Sequence, residues 1–255
     1  MKRHNSVKVV SEEILKSGLA EAVFLKGSIA RGEDDDFSDV DMYAVVTSEN
    51  FDTFLAKRIQ YLEKYKRLIY WCEENFVAPQ IVGVFEDALH FDLYTVKPNS
   101  IPQTDDIKII FDKSGVLDSY KKSPLGVSSD YITKEIDEFA FILLEFDAAY
   151  ARKDYIWAIT LFHIQLSKTS LITRFIFDSD NAQLRLKRIH KVIPNLIYNE
   201  YVAILESATP TNILSAMKSL VLLTDKLMSQ LPDEMQTKVN TEFFNMMKNK
   251  ITVLE

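Results

Sequence analysis

Cysteine is nearly absent. Cys72 is the single one in 255 residues, so no intramolecular disulfide can form, and the chain suits a reducing compartment. No uncharged apolar run is long enough to cross a bilayer, and the basic opening residues Lys2, Arg3 and His4 lead into no apolar signal-peptide core. The expected location is therefore the cytoplasm, without a membrane partner. An excess of positive charge is lacking as well. Lys and Arg number 30 against 37 Asp and Glu, a net charge of −7, which argues against a nucleic-acid polymer as substrate because proteins that track phosphate backbones carry a basic surface. What remains is the composition of a globular protein, with 47% hydrophobic residues and length for one large or two small domains.

The informative stretch runs from Gly27-Ser28 to Asp39-Val40-Asp41, between the apolar segments Ala22-Val23-Phe24-Leu25 and Met42-Tyr43-Ala44-Val45-Val46. On an extended strand, residues two apart face the same way, so Asp39 and Asp41 present both carboxylates to one side. That pair suits Mg²⁺, which takes a few carboxylates and shares the phosphates of a nucleotide; two such ions about 3.5–4 Å apart can hold both oxygens of an in-line displacement. A glycine lets backbone N–H groups approach a phosphate closely, and Ser28 adds a hydroxyl. Arg31, on the same face of a starting helix, could add charge. A third carboxylate is still needed. Asp92 stands alone in the apolar strand His90-Phe91-Asp92-Leu93-Tyr94, where a charge is costly unless paired or bound to metal. His90 shares its face, although a lone histidine at a strand start is more often structural.

The Gly-Ser, ten-residue gap and Asp-Val-Asp resemble the signature of the polymerase-beta-like nucleotidyltransferase superfamily. Within it, the Gly-Ser-x-x-Arg-Gly-Glu and Phe-Ser-Asp stretches are similar to those of antibiotic nucleotidyltransferases, closest to the lincosamide and aminoglycoside types. Residues 107–120 resemble the last strand and turn of that catalytic domain, and Lys153-Asp154-Tyr155 and Gln165-Leu166-Ser167-Lys168 fit its helical half. The resemblance implies Asp92 as third metal ligand and as acceptor of the hydroxyl proton, with Lys153 and Lys168 near the triphosphate.

In chain order, helix is expected over 10–19, strand over 22–25, a short helix over 28–31 and a solvated acidic loop over 33–36. A long amphipathic helix follows over 51–70, its stripe of Phe54, Leu55, Ile59, Leu62 and Tyr65 facing the core. Strands are expected over 76–85, where Pro79 implies an edge or broken strand, over 88–96 and over 106–111, then a short helix over 115–122. The Pro124 to Ser129 stretch reads as a boundary. Beyond it only helical periodicity remains, over 131–151, 155–177, 181–205 with a break near Pro194, 210–231 and 233–252. The fold class is thus α+β: a mixed sheet with flanking helices over 1–125, and an all-α bundle over 126–255 that completes the substrate cleft.

These readings converge on an Mg²⁺-dependent enzyme, monomer or homodimer, that moves AMP from ATP to a hydroxyl of a small cationic acceptor. Gly27 and Ser28 would hold phosphates and Asp39, Asp41 and Asp92 two ions. Either Asp92 or one of Glu135, Asp137 and Glu138, at the start of the first bundle helix, would be the base. Two alternatives stand beside this: a transferase that adds AMP to a protein, as in toxin–antitoxin systems, and a non-catalytic nucleotide-binding protein of the same fold. Arg185 and His190 resemble the Arg-x4–6-His pattern of a helical ribonuclease family, a spacing that basic helices also produce by chance.

Overall fold

Apolar residues on both faces of two strands, β1 (Ala20–Lys26) and β2 (Val40–Val46), put these strands in the middle of a sheet. The computed structural model describes residues 2–254 and divides into two units, Met1–Ser123 and Pro124–Glu255. The first contains helices α1 (Lys2–Ser17), α2 (Gly27–Arg31) and α3 (Phe51–Leu62), and strands β3 (Leu68–Glu74), β4 (Gln80–Phe85), β5 (His90–Val96) and β6 (Lys108–Asp112). The six strands run in the order β3-β4-β5-β2-β1-β6. Among the described strands, β2 and β5 pair in parallel and the other neighbours pair antiparallel.

Pleating gives the sheet two unlike faces. Val23, Leu25, Val40, Met42, Phe91 and Leu93 pack with Val10 and Ile14 of α1 and Phe54 and Leu62 of α3 into one core. The alternate residues Ala22, Phe24, Tyr43, Val45 and Val96 form a smaller cluster on the opposite face with Leu117. There the rings of Phe24, Tyr43 and Tyr94 stack, with centroids 5.0 and 4.2 Å apart. Asp41 and Asp92 continue this second face, since they lie two residues before Tyr43 and Tyr94.

The second unit contains α4 (Ser129–Ala151), α5 (Tyr155–Phe177), α6 (Asn195–Ser207), α7 (Ile213–Met228), the short α8 (Asp233–Gln236) and α9 (Thr241–Val253). Ser128, Asp154 and Asn240 each cap a helix by accepting from a backbone N–H in its first turn. Phe139, Phe146, Phe162, Met217, Leu220 and Phe244 are among the fully buried residues of its core. A polar seam runs through this core, where Thr169 bonds Thr224 at 2.8 Å and Thr173 bonds Tyr201 at 2.6 Å. The architecture is α+β, a mixed sheet joined to a C-terminal set of helices.

Several boundaries differ from the sequence expectation. Helix α1 begins at Lys2, well before residue 10, and its buried Arg3 pairs with Asp34 at 2.6 Å, so the acidic loop is tethered and not wholly solvated. Helix α3 stops at Leu62; the run Ile69-Tyr70-Trp71 is strand β3, which makes β3 the edge and places β4, starting just after Pro79, inside the sheet. The stretch 115–122 is turn, because the Asp112 carboxylate accepts the N–H groups of Val116 and Leu117 and Gly115 takes φ 69°. Residues 179–191 form short 3-10 turns broken by positive φ at Arg185 and Arg188. Helix α7 starts at Ile213, three residues beyond Pro210.

Phe54 is fully buried between α3 and the sheet. Phe54→Ala should cost about 3–5 kcal/mol by lost transfer energy and the cavity left behind, read as a lower urea midpoint for the first unit. A shift of under about 1 kcal/mol would show that α3 contributes little to this core.

Candidate functional site

The parallel pairing of β2 with β5 aligns Asp41 with Asp92, Tyr43 with Tyr94 and Val45 with Val96. Parallel neighbours in register project to the same face, so the carboxylates of Asp41 and Asp92 stand side by side, and Asp39, two residues before Asp41, joins them. Like charges placed so are destabilising unless a cation lies among them. His90 partly fills that need: its Nε2 is 3.1 Å from Asp92 Oδ1 and its Nδ1 3.8 Å from Asp39 Oδ2. The bond with Asp92, with the charges of Asp92, Asp39 and Asp41, raises the imidazole pKa against burial. Tyr43 and Tyr94 are pushed far up by burial, and by the nearby carboxylates, so both phenols stay neutral.

The Gly27-Ser28 turn opens α2 at the end of β1. Gly27 has φ +66°, and a Cβ there would collide with Asp41 Oδ2. Glycine is thus required twice, for the backbone conformation and for the close approach of the turn to the carboxylate. Lys26, just before it, pairs in register with Asp41. Its side chain is buried and its Nζ donates to the carbonyls of Pro102 at 2.8 Å and Thr104 at 2.6 Å. Burial pushes its pKa down to about 8, against the pull of Asp105 and Asp41. Arg31 pairs with Glu33 at 3.0 Å and with Asp105. Asp105, at φ 70°, and Thr104 also accept from the Tyr120 hydroxyl. The segment around 102–105 is therefore strapped to the turn by Lys26, Arg31 and Tyr120.

Lys26 escaped the sequence reading. A lysine closing an apolar strand looks like a solvated end, and the carbonyls that hold it lie far along the chain. The only signal was its position next to Gly27.

The remaining candidates lie in the helical unit. Lys168 is 8% exposed, and its Nζ is held by Glu135 and Glu138 at 2.8 Å each. Burial opposes its charge, but these two carboxylates outweigh it and raise its pKa. Asp137 accepts from the N–H of Asn240. Lys153 is exposed at φ 62°, in the link between α4 and α5. His190 is exposed and lies near Tyr198.

Among the described residues, no three His, Cys, Asp or Glu side chains converge into a ready metal cage. The donor set nevertheless suits a hard cation. Three carboxylates share a face, and His90 lies against two of them, Asp39 and Asp92. Asp39, Asp41 and Asp92 are thus the side chains in this unit that could hold such an ion.

Two outcomes follow. In metal-free buffer the His90 cation stabilises the fold fully below its unfolded pKa near 6.5, and this contribution is lost as pH rises through the higher folded value. The Tm difference between wild type and His90→Gln should therefore shrink from about pH 6 to pH 8, and a pH-independent difference would refute the pairing. Gly27→Ala should cost about 1–3 kcal/mol of stability, measured by urea unfolding.

No family model matches the chain, and no curated protein matches it. Among solved structures it is similar to an aminoglycoside 6-adenyltransferase from Bacillus subtilis, at 13% identity over 94% of this chain and 97% of that one, with a TM-score of 0.37. A likeness so loose carries no argument about family or chemistry.

Proposed function

We propose that the chain is a nucleotidyltransferase that moves AMP from ATP to a hydroxyl of a small cationic acceptor and releases pyrophosphate. The observation that carries this reading is the in-register pair Asp41 and Asp92 with Gly27 packed against Asp41. A phosphate-type turn and a carboxylate cluster thus adjoin each other. The resemblance of Gly27-Ser28 and Asp39-Val40-Asp41 to the antibiotic nucleotidyltransferases supports the same reaction class.

The chain's own residues divide the work. The N–H groups of the turn and the Ser28 hydroxyl bind phosphate oxygens. Asp39, Asp41 and Asp92 would hold Mg²⁺, which would supply neutralisation of the phosphate charge. The acceptor oxygen bonds to the α-phosphorus as the bond to the bridging oxygen breaks; the pyrophosphate leaves with that electron pair. Asp92 Oδ takes the acceptor's proton, and the bond with His90 orients this carboxylate. Positioning and charge neutralisation supply most of the rate, as in other phosphoryl-type transfers. A net charge of −7 favours an amine-bearing acceptor over an anionic one.

The test is pyrophosphate release from ATP and Mg²⁺ with a panel of aminoglycosides and lincosamides, with mass spectrometry of the acceptor. One compound should gain the mass of AMP, and EDTA should stop the reaction. Asp39→Asn and Asp41→Asn should each lower turnover by about 10²–10³-fold or more while Tm stays near wild type. Wild-type turnover in either variant would overturn the assignment.

A further inference from the structure

Exposed apolar side chains are concentrated on the edge strand β3 and the turn that follows it. Ile69, Tyr70, Trp71, Phe76 and Val77 are 48 to 79% exposed. Strand β3 pairs with β4 on one side alone, so the N–H and C=O groups along its other side face no strand. Soluble proteins guard such edges with lysine, proline or short length. Strand β3 is seven residues long, and its run Leu68-Ile69-Tyr70-Trp71-Cys72 contains neither a charge nor a proline. At the opposite edge, β6 has five residues and begins with Lys108.

The charges of β3 lie at its two ends, with opposite signs. Lys66 and Arg67 precede the strand, and Glu73 and Glu74 close it. Neither end is fully used within the chain. The Arg67 side chain is 72% exposed and its pair with Glu86 is long, at 3.6 Å; the Glu73 side chain is 66% exposed, although it meets Arg58 at 3.2 Å. A strand with one basic and one acidic end matches a second copy of itself only when that copy runs antiparallel, because a parallel copy sets like charges together. Opposed residues share a face, so a two-fold axis through such a pair needs one residue to oppose itself. With Tyr70 on the axis, Arg67 opposes Glu73, Lys66 opposes Glu74 and Ile69 opposes Trp71. These are opposite charges and an aromatic against a β-branched side chain, both favourable cross-strand pairs.

We propose that β3 is a self-association edge, on which two copies of the chain pair antiparallel about an axis at Tyr70 and join their sheets into one. The register shift between Leu68 and Tyr70 in the β3–β4 ladder is an irregularity of the kind that weakens edge pairing, and one strand pair buries less than a standard interface. The dimer is accordingly weak and forms at micromolar concentration. It does not depend on the reaction proposed for Asp39, Asp41 and Asp92.

Two measurements on the full chain test this edge. Sedimentation velocity over a rising concentration series should show a monomer–dimer equilibrium. Trp71→Lys puts a lysine in the middle of the edge and should weaken dimerisation at least tenfold. Arg67→Glu sets like charges opposite each other and should weaken it severalfold, with Tm near wild type in both variants. The second measurement reads the register. In a Cys72→Ser background, Tyr70→Cys would set two thiols opposite each other with Cα atoms about 4.5–5.5 Å apart, within the span of a disulfide, so mild oxidation should give a covalent dimer. In the unaltered chain the two copies of Cys72 would stand four residues out of register, about 13 Å apart, and should not crosslink. A monomer at every concentration overturns the proposal. So does a dimer that Trp71→Lys leaves intact, or the absence of a covalent dimer with Tyr70→Cys. The crosslinking result decides the matter should Trp71→Lys fold poorly.

Discussion

The repulsion between two carboxylates on adjacent strands is the constraint around which the first unit is arranged. Asp41 and Asp92 are locked side by side by the parallel pairing of β2 and β5, and backbone hydrogen bonds hold that register firmly. Separating the charges would require breaking the ladder. The surroundings compensate instead. His90 lies between Asp92 and Asp39, and Lys26 lies cross-strand from Asp41. The stacked rings of Phe24, Tyr43 and Tyr94 form an apolar floor beside them, where screening by water is weaker than at an open surface. The result is a local excess of negative charge kept in a rigid frame, the feature on which the proposed function rests.

This frame depends on the one-sided use of the sheet. Helices α1 and α3 pack on one face and bury Val10, Ile14, Phe54 and Leu62 there. The other face carries only the small cluster that includes Tyr43 and Val96. Polar groups can thus line that second face without disturbing the main core. The strap of Lys26, Arg31 and Tyr120 on residues 102–105 fastens a loop beside the turn, so the turn is held from its N-terminal and C-terminal sides.

Legibility in the sequence followed distance along the chain. Gly27, Ser28, Asp39 and Asp41 fall within fifteen residues, and their spacing between two apolar runs could be read directly. Asp92 was visible because a charge in an apolar strand demands a partner. The helical half was recognisable from apolar residues at three- and four-residue steps, and the 155–177 helix has the expected bounds. Strand β3 was not recognised, because the apolar stripe of α3 runs on to Tyr65 and hides the change of period at Leu68. The roles of Lys26 and Lys168 were equally hidden. Burial of a lysine is decided by carbonyls and carboxylates some thirty to eighty residues away, and no local pattern reports them. The break at Arg185 was missed for a similar reason, since a non-glycine residue gives no warning of a left-handed backbone.

The pairing of β2 with β5 also sets an order of events in folding. Asp41 and Asp92 are separated by roughly fifty residues, including α3 and the β3–β4 hairpin. Parallel strands cannot be joined by a tight turn, so this contact waits on closure of a long loop. The hairpins β3–β4 and β4–β5 are local and can form sooner. A chain emerging from the ribosome would therefore carry the Gly-Ser turn and Asp39-Val40-Asp41 well before the third carboxylate reaches them. The three carboxylates thus come together only once β5 has docked on β2, and a partly folded chain carries the Gly-Ser turn and the first two without the third.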